Sequence, residues 1–267
     1  MRINRNTVLV GSKVVLVPYR LVVRHLHPFN PFTVERYHEW MKDSEIQQMT
    51  ASEPLSLEEE YEMQRSWQVD EDKLTFIVFA RKENEISPPA VPESAEEALE
   101  GSQMIGDVNI FFNKAGEEEE EEGQGASTEE PSLSERLDAE CEVMIAEATY
   151  RRKGLARQAL EVLIQYVTDD PTPSPSVQPD SACSEDEEVP SPPIGRRQAL
   201  LPIPSDWLTC KISLANKASI NLFTSLGFEK SKVSEVWKEV EMRRRAGGVQ
   251  RDIKAVLYWK SQPETGR

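Results

Sequence analysis

The sequence predicts an α+β domain built on one mixed sheet. Three observations carry this. Strand-like runs at 74–80, 104–112 and 140–146 follow one another with no helical pattern between them, whereas a doubly wound chain would alternate strand and helix. Helical patterns flank them, at 33–49 and 56–68 before and at 154–167 after. Three polar segments, 82–103, 113–138 and 169–205, interrupt this pattern and gather the chain's negative charge.

Those segments hold 85 of the 267 residues, with 23 Asp/Glu against 5 Lys/Arg. The other 182 residues therefore carry +2 of a total of −16, so the acidity says nothing about a site in the core. The segments also hold 13 of the 18 prolines and too little apolar content to offset the entropy of ordering, so they are read as disordered inserts. The map is one domain over 1–245, long enough to bury a real core, and a C-terminal tail over 246–267. Cys141, Cys183 and Cys210 show no CxxC spacing; Cys141 and Cys210 fall in strand-like runs and are read as buried thiols. No apolar run approaches 18 residues and no apolar stretch follows Met1. Neither a transmembrane helix nor a signal peptide is expected, and a cytoplasmic setting fits, with the nucleus open. No nucleic-acid or membrane partner is expected.

In chain order, KVVLVPY at 13–19 reads as a first strand closed by Pro18. Residues 20–32 fit neither a helix nor an alternating strand and read as an insertion. TVERYHEWMKDSEIQQM at 33–49 opens with Thr33 as N-cap and spaces Val34, Tyr37 and Met41 as a helix does. SLEEEYEMQRSWQ at 56–68 begins with the S-x-x-E of a capping box. LTFIVFA and MIGDVNIFF are strands, and Gly106-Asp107 in the second predicts a bulge or turn. ECEVMIA at 140–146 is another strand, and GLARQALEVLIQYV is an amphipathic helix. WLTCKISLA at 207–215 is a strand and KASINLFTSL at 217–226 a short helix, with Gly227 as left-handed terminator. KVSEVWKEVEM at 232–242 ends the core as an alternating strand. The basic run EMRRRAGGVQRDIK beyond it reads either as a contact for an acidic partner or as a solvated end.

The chemistry centres on Tyr150–Leu160, YRRKGLARQAL, at a strand-to-helix turn. Gly154 allows close backbone approach, Ala156 keeps the first helical turn uncrowded, and free helix N–H groups suit an anion. Arg151, Arg152 and Lys153 add positive charge. A Walker-type nucleotide site is excluded, because no Ser or Thr follows a Gly-Lys, and there is no G-x-G-x-x-G. Taken alone, the loop reads equally as a pyrophosphate cradle or as a basic helix start with nothing bound. No metal site is expected: His25 and His27 lack further His or Cys partners, and the glutamates at 117–122 read as a solvated loop.

R-x-x-G-x-[GA] between a buried strand and a helix resembles the acetyl-coenzyme A signature of the Gcn5-related N-acetyltransferase (GNAT) superfamily. Asn216-Lys-Ala-Ser219-Ile-Asn-Leu-Phe223-Thr-Ser-Leu-Gly227-Phe228 is similar to that superfamily's N-x-x-S-x-x-[LM]-[FY]-x-x-x-G-F segment. The chain as a whole resembles the N-acetyltransferase 9-like family. The stretches that carry this are MRINRNTVLVGSKVVLVPY, RYHEWM, TASEPLSLEEEYEMQRSWQ, FIVF, MIGDVN and EVMIAE, which cover the core but not the three inserts or 20–32.

The resemblance implies a GNAT fold: a central, mostly antiparallel sheet flanked by helices and splayed between its fourth and fifth strands, here 140–146 and 207–215. It implies acetyl-CoA as co-substrate. Met144 and Ile145 would bind the pantetheine arm through their backbone, Arg151, Arg152, Lys153, Gly154, Leu155 and Ala156 would wrap the pyrophosphate, and Asn216 and Ser219 would reach the cofactor from the next strand. Acetyl transfer needs a neutral amine, which a base acting through water can supply. Glu142 is the candidate base, its other reading being a solvent-facing strand residue. The superfamily's tyrosine general acid falls at Phe223, which has no proton to donate, leaving Tyr150 or water to serve. The implied activity is N-acetyl transfer to a protein α-amino terminus, with tubulin as one candidate. The alternative is a weak or inactive GNAT-fold binding module, for instance on the cytoskeleton.

Overall fold

The computed structural model describes residue 4 and residues 7–19, 33–82, 92–114, 137–168, 201–245 and 253–258. Residues 20–32 with His25 and His27, residues 117–122 and Cys183, read above from the sequence, lie outside these residues. The elements are β1 (Thr7–Val10), β2 (Val14–Pro18), α1 (Thr33–Met41), α2 (Ser44–Thr50), α3 (Leu57–Val69), β3 (Lys73–Ala80), α4 (Ala95–Leu99), β4 (Gln103–Lys114), β5 (Leu137–Ile145), α5 (Leu155–Thr168), β6 (Leu208–Ser213), α6 (Lys217–Ser225), β7 (Phe228–Ser234), β8 (Glu239–Arg244) and β9 (Ala255–Tyr258). All nine strands form one sheet in the order β7-β8-β6-β5-β4-β3-β2-β1-β9. Among the described residues only β5 and β6 pair in parallel; the other pairs are antiparallel. The expected α+β class with a mixed sheet is what forms.

Both sheet faces are covered, which is why β2 and β3 are buried at every residue and read as unbroken apolar runs. On one face Leu155, Leu160, Leu163, Ile164 and Val167 of α5 join Leu74, Phe76, Val78 and Ile110 of the sheet. On the other face Tyr37, Trp40 and Met41 of α1 cover Val15, Val17, Ile77 and Met144. Gln158 ties α5 to the β1–β2 turn: its Oε1 accepts from Val14 N (3.0 Å), and its amide donates to Ser12 Oγ.

Several local signals act as read. Ser56 and Glu59 close the capping box of α3. Gly227 takes φ 85° and its N–H bonds Thr224 O (3.1 Å), ending α6. The bulge at Gly106 is present: Gly106 pairs with Val78 and Met104 with Phe79, which leaves Ile105 as the extra residue.

Five readings are corrected. The single helix over 33–49 is two, because Asp43 caps a new one by accepting from Glu45 N (2.8 Å). The run 232–242 is not one strand: its alternation continues through a hairpin turn in which Lys238 takes φ 55°, and Val236 and Trp237 are exposed there. The segment 82–103 is not wholly an insert, since Ser94 caps α4, whose Ala95, Ala98 and Leu99 join the α1-side core. Burying a leucine such as Leu99 contributes about 1.5–3 kcal/mol toward the entropy of ordering residues that composition alone marks as polar. The tail from 246 is not wholly outside the domain: β9 returns to pair with β1, itself a strand too short to stand out in the sequence. Of the described arginines of the basic run, Arg243 and Arg244 face partners within the domain and Arg245 stays exposed. Arg243 pairs with Asp138 (2.7 Å), Arg244 donates to Leu226 O (3.3 Å), and Arg245 pairs with Glu229.

Candidate active site

The site begins with a strand pair that does not stay together. β5 and β6 pair only at Ala139–Leu208 and Glu140–Thr209. Beyond those residues β5 continues with β4 as far as Ile145, and β6 continues with β8 as far as Ser213. A wedge therefore opens toward the carboxyl ends of both strands. The resemblance implied a splay between 140–146 and 207–215, and this is where it lies.

Gly106 sets how closely β4 backs β5, one wall of the wedge. A Cβ there would stand 1.9 Å from Met144 O, so only glycine lets β4 approach at this point. That contact also places Met144: its carbonyl faces β4, and Ala146 N bonds Ile105 O (2.9 Å) on the same side. Alternation then turns the backbone groups of Val143 and Ile145 toward β6. Of the expected pantetheine contacts, Ile145 faces the wedge and the Met144 backbone does not. Val143, which the sequence reading passed over, turns its backbone groups to the wedge instead.

The loop 151–156 sits at the wedge mouth, between β5 and α5. Arg152 takes φ 65° and Gly154 φ 78°, two left-handed residues one apart. Such turns aim successive N–H groups into a concavity that suits an anion. Gly154 O accepts from Gln158 N (3.1 Å), so α5 starts directly from this turn with its first N–H groups at the mouth. Leu155 is buried and anchors the helix; Ala156 is half-buried. The three cations divide. Arg151 turns back and donates from Nε to Ile145 O (2.9 Å) and from a terminal nitrogen to Ala146 O (3.1 Å), bracing the end of β5. Arg152 and Lys153 are exposed, with Lys153 Nζ 5.2 Å from the centroid of the Tyr150 ring.

The second motif lies at the end of β6. Asn216 caps α6, its Oδ1 accepting from Ser219 N (3.1 Å), which leaves the side-chain NH₂ as the group with which Asn216 can reach a ligand. Ser219 takes part through its backbone N–H and is half-buried. Phe223 is a core residue, edge-on to Phe228 with ring centroids 5.0 Å apart. Tyr150 donates its hydroxyl to Gln103 Oε1 (2.9 Å). Cys141 and Cys210 are buried free thiols as expected, and burial pushes both well above the usual thiol range.

Glu142 stands on the α1 side of β5 with solvent contact. The surrounding protein mass, with Glu140 and Asp107 adding repulsion and Lys73 opposing, pushes its carboxyl up to about 7. Solvent contact moderates that shift. The strands beside it carry polar residues that the sequence reading did not single out. Thr75, Asn109 and Glu142 stand directly opposite one another across β3, β4 and β5, and Asp107 follows Asn109 on the same face. Burial pushes Asp107 up to about 6 against hydrogen bonds from Asn109 and Tyr37 and the charge of Lys73. Burial lowers Lys73 to about 8; its Nζ lies over the Trp67 ring (3.0 Å). The available signal was the i, i+2 spacing of Asp107 and Asn109 inside an otherwise apolar strand.

No helix among the described residues is long and apolar enough to cross a membrane. Comparison with known proteins agrees with this geometry. The family model described as an acetyltransferase (GNAT) domain matches residues 20–229. An N-acetyltransferase 9-like protein of Caenorhabditis briggsae is 42% identical over 166 residues, which is 62% of this chain and 65% of that protein. The alpha/beta-tubulin-N-acetyltransferase 9 of Homo sapiens is 34% identical over 243 residues, 91% of this chain and 85% of the relative. An N-acetyltransferase 9-like protein of Schizosaccharomyces pombe is 33% identical over 252 residues, 91% and 97% of the two chains. With that extent of match added to a splayed mixed sheet and a left-handed loop at its mouth, this chain belongs to the GNAT acetyltransferases, among the N-acetyltransferase 9-like proteins.

Proposed function

We propose that the chain transfers acetyl from acetyl-coenzyme A to the α-amino group of a protein, with tubulin as the leading acceptor. The observation that carries the reading is the wedge, open from Cys141 on β5 and Cys210 on β6, with the 151–156 turn at its mouth. The residues present fit the coenzyme. Backbone amides of Val143 and Ile145 turn toward β6 where no ladder continues, and an amide-rich pantetheine supplies partners for such groups. Pyrophosphate suits the N–H groups of the left-handed turn and the start of α5, with the charges of Arg152 and Lys153. Asn216 closes the other side of the mouth through its amide. The coenzyme supplies an activated acetyl thioester.

Glu142 supplies the base. A carboxylate with a pKa near 7 matches an α-ammonium, whose ordinary pKa is about 7.7–8.0. Lysine, near 10.4, offers about 10²–10³-fold less neutral amine at the same pH, so the site favours chain termini over side chains. The leaving thiolate takes its proton from water or from Tyr150, since Phe223 has none to give. Tubulin enters through the relatives named for it, at 34% identity over nearly the whole chain. The test is incubation of the purified chain with labelled acetyl-coenzyme A and α/β-tubulin, followed by mass spectrometry of the tubulin N-termini. Label on the terminal amine is expected. Label only on lysines would overturn the α-amino reading, and none on any protein terminus would overturn acetyl transfer to proteins.

A further inference from the structure

Beneath α1 and α3, on the sheet face that carries Glu142, lies a buried polar patch. Thr75, Asp107 and Asn109 are 5%, 2% and 4% exposed, and Tyr19, Glu60 and Gln64 are buried around them. Some of their bonds are made. Asn109 donates its amide to Asp107 Oδ2 (2.9 Å), and Tyr37 Oη stands 3.5 Å from the same oxygen. Gln64 donates its amide to Tyr19 O (3.0 Å). These donors fix which amide atom is oxygen, and what remains unpartnered is one-sided. Thr75 Oγ1, Asp107 Oδ1, Asn109 Oδ1, Tyr19 Oη, Gln64 Oε1 and Glu60 Oε2 are buried with no hydrogen-bond partner; all six can accept, and the hydroxyls of Thr75 and Tyr19 can also donate. The two unpartnered nitrogens, Arg36 Nε and His38 Nδ1, are on α1, and His38 Nδ1 stands 3.9 Å from Glu60 Oε1 at the edge of the patch. An unpaired buried acceptor costs about 1–3 kcal/mol, so a cluster of them calls for a ligand rich in donors.

We propose that this oxygen-lined patch seats the ammonium of the acceptor. Three of the orphaned oxygens, on Thr75, Asp107 and Asn109, belong to neighbouring positions of β3 and β4 and match the three N–H donors of a primary ammonium. The row Thr75–Asn109–Glu142 leads from the buried end to the solvent-exposed base, so the amine held here lies beside the group that removes its proton. The charge favours a cation. Asp107 and Glu142 face the patch from β4 and β5, with Glu140, which pairs with Lys211, beyond them and Glu60 on α3 beside His38; Lys73 from β3 is already held over the rings of Trp67 and Phe111. Asp107 and Asn109 thus orient the acceptor, and Glu142 deprotonates it.

The inference rests on the acetyltransferase reading and is tested apart from it. Binding of n-butylammonium chloride to the full chain is measured by NMR titration, with n-butanol as the uncharged control. The ammonium is expected to bind in the millimolar range, butanol not, and Asp107→Asn to weaken the ammonium at least tenfold. Equal effects of the two probes, or unchanged binding in Asp107→Asn, would overturn the proposal whether or not the chain turns tubulin over. With tubulin as acceptor, Asp107→Asn is expected to raise its KM about tenfold with the KM for acetyl-coenzyme A unchanged. Thr75→Val, also nearly isosteric, is expected to raise it about threefold. If both variants lowered kcat alone while keeping their melting temperatures, the patch would be a water-filled structural network and the proposal would fall.

Discussion

Arg151→Ala separates the brace from the cradle within one loop. The guanidinium of the half-buried Arg151 makes two hydrogen bonds to main-chain carbonyls, at 2.9 and 3.1 Å, holding the end of β5. Hydrogen bonds to charged groups contribute roughly 1.5–3 kcal/mol each, and partial exposure discounts the pair to about 2–3 kcal/mol together. In a domain of this size about 1 kcal/mol moves the melting temperature by about 2–4 °C, so a loss of about 4–12 °C is expected. Lys153→Ala removes an exposed charge whose neighbour is the Tyr150 ring, worth about 0.5–1 kcal/mol, and should barely move the melting temperature. The order reverses for the ligand. Lys153→Ala should weaken acetyl-coenzyme A by about 1.5–3 kcal/mol in titration calorimetry, with a shallower salt dependence, because it removes a phosphate charge. Arg151→Ala should leave the salt dependence unchanged. The reasoning is refuted if Arg151→Ala melts like wild type and yet flattens the salt dependence more than Lys153→Ala. Gly154 is a poor probe of the same question. At φ 78° any side chain costs about 1–2 kcal/mol of backbone strain, although the space around its Cβ is open.

Two further outcomes follow from the buried carboxyls. As base, Glu142 must be ionised, so kcat/KM should rise with pH through two steps, one at about 7 for Glu142, whose carboxyl the surrounding protein, Glu140 and Asp107 hold up against Lys73, and one at about 7.7–8.0 for the acceptor amine; Glu142→Gln should remove the lower step and leave the upper, and a lower step that survives in the variant assigns the base elsewhere. Burial raises Glu60 to about 7 from an unfolded value near 4.3, so the folded state holds an extra proton in that window and stability is lost as pH climbs through it; Glu60→Gln should match wild type near pH 4.5 and exceed it by up to about 3 kcal/mol at pH 8, and a gap that ignores pH counts against the assignment.

Much of the fold was legible because its signals are local. A capping box, a left-handed glycine after α6, and helical spacing in α5 each act within a few residues, and each appears where it was read. What was lost depends on partners distant in sequence. β1 is four residues long and is a strand because β2 and β9 lie on its two sides. α4 is short, and its two acidic residues hide an apolar face of Ala95, Ala98 and Leu99 that only the α1-side core makes worth ordering. The β7–β8 turn was hidden because apolar alternation runs on through an exposed tip. In the site the same division holds. The 151–156 loop declared itself by glycine and charge. The role of Arg151 did not, because whether an arginine faces phosphate or a strand end is decided by where the carbonyls of Ile145 and Ala146 point.

The location of the site follows from one topological exception. In an otherwise antiparallel sheet, β5, α5 and β6 form a crossover unit, and their two strands are the one parallel pair. Antiparallel neighbours put the end of one strand beside the start of the next, so loops from successive strands fall at opposite edges. A parallel pair puts both carboxyl ends at one edge, with the start of the crossover helix beside them. Here that edge gathers the loop after Ile145, the amino end of α5 and Asn216 after Ser213, two sequence motifs about 60 residues apart. Pairing stops at Glu140–Thr209 because β5 stays with β4 and β6 stays with β8, each held by a ladder along its outer side; along the inner side of β5, Arg151 takes the Ile145 carbonyl and no ladder continues. Gly106 is what lets β4 hold β5 so closely, since any larger residue would meet the Met144 carbonyl. The wedge is thus maintained by the outer ladders rather than by anything inside it, which leaves its backbone groups available to a ligand without loss of the sheet.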